Sequence, residues 1–306
     1  MPDFLLADTS TQDLEPIEYP PIASPQQVEH YMRDGYLVMP DLLKPSEVDE
    51  LKLETLAIAR GHRDGSQLSP LPDGVPDDKV LGRILCLHYP ACISPVIHRY
   101  TTQHPQVCGV LSQMVGAHLP FWNGSVKTVE SLLFVKPPGF PGQAWHQDEV
   151  YMHTRDRSLT GAWIAIDDAH TQNGCLTVIP GSHRSGYLWP QRDHDEGQEW
   201  DEARESFSFD DSAKKALEVK SGSVIFFNGY LLHSSFRNRS RTYRRSLVSH
   251  YMNAYSVLPY RFSPHANSTP NDDRKVELVT GVDPYAWKGV EDQNSEVFLR
   301  RCTAPQ

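Results

Sequence analysis

The chain has 306 residues, of which 39% are apolar, and its 39 acidic and 29 basic residues give a formal net charge of −10. This length is sufficient for a substantial buried core, whereas a membrane span is not expected because no run of 18 apolar residues occurs. Nucleic acid is not an expected partner, since phosphate binding requires clustered Lys and Arg.

The cysteines and the N-terminus predict the cellular compartment. Five cysteines are present, which is an odd number, and none of them forms a C-x-x-C pair. They are typical of reduced thiols rather than of a disulfide framework or a zinc site. The first residues lack the basic and apolar regions of a secretory signal. We therefore expect a cytoplasmic protein.

The N-terminal part of the sequence predicts helices. Residues 1–23 are acidic, contain prolines and show no periodicity, which predicts a flexible arm. Ser24-Pro25-Gln26-Gln27 is typical of a helix start, and this helix should end near Asp34-Gly35. The elements expected next are a strand over 36–39, a helix after Pro45, a polar loop over 61–80 and one or two helices within 82–118.

From about residue 130 the pattern changes to short apolar strands bounded by turn residues. The predicted strands cover residues 131–136, 161–166, 175–179, 223–227 and 245–251. No helical pattern separates them, which is typical of an antiparallel sandwich or jelly roll. We expect a mainly β, single domain over residues 24–306, with the N-terminal helices packed on its outside.

Two segments of this domain lack the strand pattern. Residues 192–211 contain nine acidic and two basic residues, a net charge of −7, so the rest of the chain carries only −3. A lid at about 190–215 and a solvated acidic insertion are both open interpretations. A C-terminal extension over about 260–306 either wraps around the barrel or frays.

The residues that indicate chemistry are Trp145-His146-Gln147-Asp148, His233 and Arg244. In a strand, alternation would place the side chains of His146 and Asp148 on the same face. His233 lies 87 residues after His146 and follows another predicted strand, so it can supply a third ligand. Two histidines and one carboxylate bind Fe(II) on one face and leave the remaining positions open for O2 and a cosubstrate.

Each of these residues also has an ordinary interpretation. The H-x-D pattern occurs again as His62-Arg63-Asp64, in a glycine-flanked polar loop that we expect to be solvated. Arg244 offers a planar pair of donors for a carboxylate, as a keto-acid site requires, but a solvated strand end beside other arginines is the alternative. Lys136 likewise is either a solvated strand end or a contact for an acidic substrate, and Asn173-Gly174 is expected to turn a hairpin. The joint placement of the three candidate ligands and Arg244 favours the metal site.

Five blocks of sequence occur in a specific order and spacing. They are Asp34–Val38, Ala144–Asp148, Gly161–Ala165, Asn173–Leu176 with Ile179–His183, and His233–Ser235 with Asn238, Ser240, Arg244 and Arg245. Together, over about residues 26–255, they resemble the phytanoyl-CoA dioxygenase family. The resemblance implies a double-stranded β-helix (a jelly-roll or cupin-like core) and dependence on Fe(II), 2-oxoglutarate and O2.

The resemblance also implies roles for individual residues. Halogenating relatives replace the ligand carboxylate with a small residue, so the presence of Asp148 favours hydroxylation or another oxidation over halogenation. By resemblance, the iron ligands are His146, Asp148 and His233, the partner of the distal carboxylate of 2-oxoglutarate is Arg244, and the residues that line the cosubstrate pocket are Trp163, Ser235 and Ser246.

The sequence therefore predicts an Fe(II)/2-oxoglutarate-dependent dioxygenase. It should oxidise, by hydroxylation, a small or medium organic substrate of natural-product or lipid metabolism and release succinate and CO2. Two alternatives stay open: a non-catalytic jelly roll that binds metal and ligand, and a zinc or manganese cupin enzyme, which has no use for a keto-acid clamp. The expected partner is a small molecule, and the sequence does not predict an oligomeric state.

Overall fold

The computed structural model describes residues 15–195, 199–256, 276–286 and 297–301. The α-helices in these ranges are α1 (Pro25–Asp34), α2 (Pro45–Ala59), α3 (Asp77–Leu81), α4 (Pro95–Thr102) and α5 (Pro105–Met114). The strands are β1 (Tyr36–Met39), β2 (Cys86–His88), β3 (Val126–Lys136), β4 (Thr160–Ala165), β5 (Leu176–Val178), β6 (Gln191–Arg192), β7 (Glu205–Ser206), β8 (Lys215–Leu217), β9 (Val224–Asn228), β10 (His233–Ser235), β11 (Arg244–Asn253), β12 (Glu277–Thr280) and β13 (Phe298–Arg300).

Two antiparallel sheets form the core of the fold. The large sheet has the strand order β1-β9-β4-β11-β3-β2-β13, and β12 also pairs with β3. The small sheet has the order β10-β5-β8. Sequence neighbours are rarely neighbours in either sheet, as the crossovers of a jelly roll require. The mainly β, double-stranded β-helix prediction is confirmed.

The large sheet is buried on both faces. Leu247 of β11 packs in a core that also contains Tyr31, Leu51 and Ile58 of the helices. The next residue, Val248, packs in a second core with Leu176 and Leu217 of the small sheet. The helices therefore cover one face of the large sheet, as predicted, while its other face meets the small sheet. The functional site lies between the two sheets.

The first helix and strand follow the sequence signals closely. Ser24 and Gln27 form a reciprocal capping box at the start of α1. Gly35 ends the helix in the left-handed region with φ 81°, which a residue with a side chain would adopt only at a cost. β1 then pairs with β9 from Tyr36 opposite Phe227. This turn places the N-terminal helix against the large sheet.

Three details differ from the sequence-based expectations. Residues 77–81, within the predicted polar loop, form α3, where Asp77 and Asp78 occupy the first turn. Strand β3 begins at Val126, five residues earlier than predicted, because the polar residues Lys127, Thr128 and Glu130 hide its strand character. Strand β2 was not predicted, and it pairs with β3 along one edge and β13 along the other.

The predicted arm, acidic segment and C-terminal extension are described in part. Ile17 pairs with Gly281, and the backbone amides of Ile22 and Ala23 donate to Gln113. The acidic segment contains the ribbon of β6 and β7, and the C-terminal extension contributes β12 and β13 to the large sheet. Residues 1–14 of the predicted arm lie outside the described residues. None of the helices in the described ranges combines the length and apolar content needed to cross a bilayer.

Candidate metal centre and cosubstrate pocket

The backbone brings His146 and His233 together as an antiparallel pair. The amide of His146 donates to the carbonyl of His233 at 2.9 Å, and the amide of His233 donates back at 3.0 Å. His233 follows β9, as expected, and is itself the first residue of β10. The two imidazole centroids are 4.0 Å apart. Residues 87 positions apart in sequence thus occupy one side of the same cavity.

Asp148 reaches this cavity in a different way from that expected. His146 is an isolated bridge residue, and Asp148 begins a 3-10 turn over Asp148–Val150, so the two residues do not share a strand. The backbone between them is nevertheless extended at Gln147, with φ −130° and ψ 128°. Both side chains therefore line the same cavity, although the predicted strand is absent.

The three candidate ligand side chains converge on one point. Asp148 Oδ1 lies 3.5 Å from His146 Nε2 and 3.6 Å from His233 Nε2. All three ligand atoms lie within 4.8 Å of one another, and all three residues are buried. Two imidazole nitrogens and one carboxylate oxygen are a donor set that binds Fe(II) or a similar divalent ion. The residues present fit a metal at this position.

Backbone carbonyls orient both imidazole rings. His146 Nδ1 lies 2.8 Å from the carbonyl of Ala144, and His233 Nδ1 lies 2.9 Å from the carbonyl of Leu231. A carbonyl only accepts, so each Nδ1 carries the hydrogen and each Nε2 keeps a free electron pair. Burial and the neighbouring His233 lower the pKa of His146 to about 4, which keeps that ring neutral at pH 7. Both rings are thus prepared as metal ligands.

A third buried histidine holds the other oxygen of Asp148. His250 of β11 lies with its Nε2 2.9 Å from Asp148 Oδ2, which leaves Oδ1 directed at the two ligand imidazoles. Burial opposes ionisation of Asp148, but His233 and His250 outweigh it and hold the pKa of Asp148 below its usual value. The sequence-based reasoning missed His250. The only sequence signal for His250 was its even spacing from Arg244, because alternate residues of the final strand share one face.

The side chain of Gln147 anchors the segment between the ligands. It is fully buried, its Nε2 donates to the carbonyls of Tyr187 and Tyr230, and its Oε1 accepts from the amide of Trp189. The sequence-based expectation was only that Gln147 points away from the metal. The structure shows that it ties the ligand segment to two neighbouring loops.

Arg244 lies at the other end of the cavity. It is buried, its Nη1 donates to Ser246 Oγ at 2.7 Å, and its guanidinium lies 5.3 Å from the centroid of the Trp163 ring. Its Nε is buried and has no hydrogen-bond partner among the described residues. An unsatisfied buried donor on a cation fits an anionic ligand that the structure does not contain. Trp163 and Ser235 line the same cavity as Arg244, whereas Ser246 contacts Arg244 without lining the cavity.

The cavity has a volume of about 560 Å³ and extends beyond the metal position. On the side away from Arg244 it is lined by His88 and Glu130, whose Nδ1 and Oε1 are 2.9 Å apart. Neither residue was singled out from the sequence. Asp201 to Arg204 of the acidic segment also line the cavity, so at least this part of the segment covers the site rather than extending into solvent.

Two conspicuous sequence features have no part in this site. His183 Nε2 lies 3.1 Å from the carbonyl of Met32, in a contact between its 3-10 turn and α1. The second H-x-D copy, His62 to Asp64, does not line the cavity, and His62 and Asp64 are exposed. The exposure of His62 and Asp64 agrees with the solvated loop expected for the second H-x-D copy.

Comparisons with known proteins agree with this geometry. The profile of the family "Phytanoyl-CoA dioxygenase (PhyH)" matches residues 31–246. "Phytanoyl-CoA dioxygenase" of Arabidopsis thaliana is 37% identical over 123 residues, which are 40% of this chain but only 43% of that protein. The chain thus matches less than half the length of this plant relative. "Phytanoyl-CoA dioxygenase, peroxisomal" of Bos taurus is 25% identical over 76% of this chain and 69% of that protein.

A solved structure shares the fold. The structure of EctD from S. alaskensis with 2-oxoglutarate and 5-hydroxyectoine has a TM-score of 0.60, 21% sequence identity, and coverage of 84% of this chain and 88% of that one. The family profile covers more than two thirds of the chain and spans all three candidate ligands and Arg244. The chain belongs to the phytanoyl-CoA dioxygenase family, the family of 2-oxoglutarate-dependent non-haem iron oxygenases that its sequence motifs resemble.

Proposed function

We propose that this protein is an Fe(II)- and 2-oxoglutarate-dependent oxygenase that hydroxylates a small or medium organic molecule. The observation that carries the proposal is the arrangement of one cavity: the converging atoms of His146, Asp148 and His233 lie in it together with a buried, incompletely paired Arg244. A metal site alone does not require a buried guanidinium in the same cavity, whereas a dicarboxylic keto acid does.

Each residue has a distinct role in this proposal. Iron is held by His146 Nε2, His233 Nε2 and Asp148 Oδ1, which are the atoms that face one another. Arg244 binds the distal carboxylate of 2-oxoglutarate, and the Trp163 ring supports the guanidinium. When bound, iron and 2-oxoglutarate supply the activation of O2, with release of succinate and CO2.

The remaining part of the cavity receives the substrate. It is lined by apolar side chains such as Leu132 and Met152 and by the polar pair His88 and Glu130. A cavity of about 560 Å³ shared with 2-oxoglutarate suits a small or medium molecule, or one end of a larger one. The presence of Asp148 at the carboxylate position of the metal centre favours hydroxylation or another oxidation over halogenation.

An anaerobic titration tests this proposal. Metal-free protein receives Fe(II) and then 2-oxoglutarate while visible absorption is recorded. We expect a charge-transfer band that requires both additions and is absent in His146→Ala. His62→Ala, in the exposed second H-x-D copy, is the matched control and should keep the band. A wild-type protein without the band would contradict the proposal and favour the non-catalytic metal- and ligand-binding jelly roll.

The location and domain organisation are also proposals. We propose a cytoplasmic enzyme in which residues 24–306 act as one oxygenase domain behind an N-terminal arm. The name of the bovine relative places that protein in peroxisomes. Fractionation of cells that express the tagged chain would decide between the two compartments.

A further inference from the structure

The structure places a second buried cation beside Arg244. Lys136, the last residue of β3, is the register partner of Arg244, the first residue of β11. Both line the cavity, and their exposed fractions are only 6% for Lys136 and 3% for Arg244. The sequence left Lys136 open as a solvated strand end or as a contact for an acidic group. Its burial excludes the solvated strand end.

No carboxylate in the described part of the chain forms an ion pair with either cation. Asp167 is engaged by Arg245, which it meets through two hydrogen bonds of 2.8 Å. Asp201 lines the same cavity, but its ion pair, at 3.9 Å, is with Arg300. The Cys175 thiol is close enough to interact with both cations, but burial raises its pKa to about 12, so it is neutral at pH 7. Two buried cations without an anion are costly, and the cost falls when an anion binds.

The hydrogen bonds of Lys136 help to make the Ser235 hydroxyl a donor toward the cavity. Lys136 Nζ donates to Ser235 Oγ at 3.1 Å and to the carbonyl of Phe236 at 2.8 Å. Ser235 Oγ also accepts from the amide of Gln143 at 3.1 Å. A serine hydroxyl accepts two hydrogen bonds and donates one. Because both acceptor positions are used, Ser235 can meet a ligand in the cavity only as a donor, as a carboxylate requires.

Gly174, in the loop between the two sheets, leaves the space that the Lys136 side chain occupies. A Cβ on Gly174 would lie 3.0 Å from Lys136 Cδ, 3.1 Å from its Nζ and 2.6 Å from the carbonyl of Phe236. Gly174 also has φ +95°, a conformation that residues with side chains rarely adopt. Asn173-Gly174 therefore does more than reverse the chain, because the glycine leaves room for the lysine side chain.

We propose that Lys136 and Arg244 together form a two-cation receptor for the distal carboxylate of 2-oxoglutarate, with Ser235 as an additional donor. This inference rests on the proposed function and adds a residue that discriminates dicarboxylic from monocarboxylic keto acids. Lys136 acts at the tail of the cosubstrate, while the keto-acid end lies at the metal.

Binding of two keto acids under anaerobic conditions with Fe(II) tests the inference. 2-Oxoglutarate carries the distal carboxylate, and 2-oxopentanoate has the same keto-acid end with a methyl group in its place. We expect Lys136→Met to raise the Kd for 2-oxoglutarate by about 10- to 100-fold, the loss of a charged hydrogen bond. The Kd for 2-oxopentanoate should not rise.

The matched control is Lys127→Met. Lys127 is a buried lysine of the same strand, and its ammonium pairs with Asp283 away from the cavity. Both dissociation constants should keep their wild-type values in this variant. Lys136→Gln keeps a polar side chain of similar length and provides a second test if Lys136→Met does not fold.

Three outcomes would overturn the inference. Unchanged 2-oxoglutarate binding in Lys136→Met and Lys136→Gln would show that Lys136 does not contact the tail. An equal loss for both keto acids would assign Lys136 a general structural role. A wild-type protein that binds neither keto acid would overturn the proposed function itself, a result distinct from the first two.

Discussion

At the residue scale, the carboxylate of the metal centre depends on His250 as a positioning residue. Because His250 holds Asp148 Oδ2, its removal should free the carboxylate to rotate away from the two ligand imidazoles. We expect His250→Phe to weaken Fe(II) affinity by about 10- to 100-fold, as for other residues that orient metal ligands. Competition with a chromogenic chelator measures this affinity.

A conservative substitution separates positioning from packing at the same residue. His250→Gln restores a donor near Asp148 and should recover part of the lost Fe(II) affinity, whereas His250→Phe preserves ring volume without a donor. Equal Fe(II) affinities in the wild type and His250→Phe would show that Asp148 needs no such support.

The lysine in the cavity predicts a pH dependence of cosubstrate binding. Burial, followed by the proximity of Arg244, lowers the pKa of Lys136 well below its usual value, while Asp201 and Cys175 oppose this only weakly. A bound dianion favours the charged lysine and raises its pKa again. Binding therefore takes up a proton, and 2-oxoglutarate affinity should fall as pH rises through the interval between the free and bound pKa values.

Calorimetry measures this proton uptake directly. Binding enthalpies recorded in two buffers of different ionisation enthalpy give the number of protons taken up per 2-oxoglutarate. We expect a positive number for the wild type in the pH interval between the free and bound pKa values of Lys136, and a value near zero for Lys136→Met. Equal proton uptake in both proteins would assign the proton to another group.

At the element scale, the segment that carries His146 and Asp148 lies outside the regular strands, and besides the backbone bridge of His146 to His233 it is held by the side chain of Gln147. We expect Gln147→Ala to lower the free energy of unfolding by about 2 to 4 kcal/mol, because three buried hydrogen bonds are lost. Urea unfolding followed by circular dichroism measures the change. Gln172→Ala, an exposed glutamine in a turn, should stay within about 0.5 kcal/mol of the wild type.

The same elements show which parts of the fold were predictable. α1 and β1 were predicted closely because their signals are local, namely the capping box at Ser24 and the helix-ending Gly35. The strand expected at His146 is absent because a 3-10 turn begins at Asp148. The H-x-D pattern is too short to distinguish a strand from such a turn. Strand β2 was missed because its three residues are too few to show the alternation of buried and exposed side chains that identifies a strand.

At the scale of the whole molecule, the metal and the cosubstrate should contribute to stability. The protein without these ligands leaves Asp148 among buried histidines and leaves the Arg244 and Lys136 side chains buried without an anionic partner. Fe(II) and 2-oxoglutarate, each at about 100 times its Kd, should each add about 2.7 kcal/mol to the free energy of unfolding. Anaerobic thermal unfolding with and without the two ligands measures this effect.

The control for this measurement is Arg244→Met. It should retain the stabilisation by Fe(II) but lose most of the additional stabilisation by 2-oxoglutarate. An identical gain from 2-oxoglutarate in the wild type and in Arg244→Met would place the anion elsewhere.

The residues of the site could be identified from the sequence only where they belong to a recognisable motif. His146, Asp148, His233 and Arg244 belong to such motifs, and the structure brings all four to one cavity. Lys136, Glu130 and His250 reach the cavity through the pairing of β3 with β11. A single sequence does not contain this register, so the contributions of Glu130 and His250 appear only in three dimensions, and the sequence left the role of Lys136 open.

The reciprocal backbone pairing of His146 with His233 also bears on how the protein is made. During synthesis, a ribosome-bound chain that ends before His233 contains two of the three candidate ligands but not the strand that aligns them. His250, which orients Asp148, is synthesised later still. A site with all three candidate ligands and its positioning histidine can therefore form only after most of the polypeptide has emerged from the ribosome.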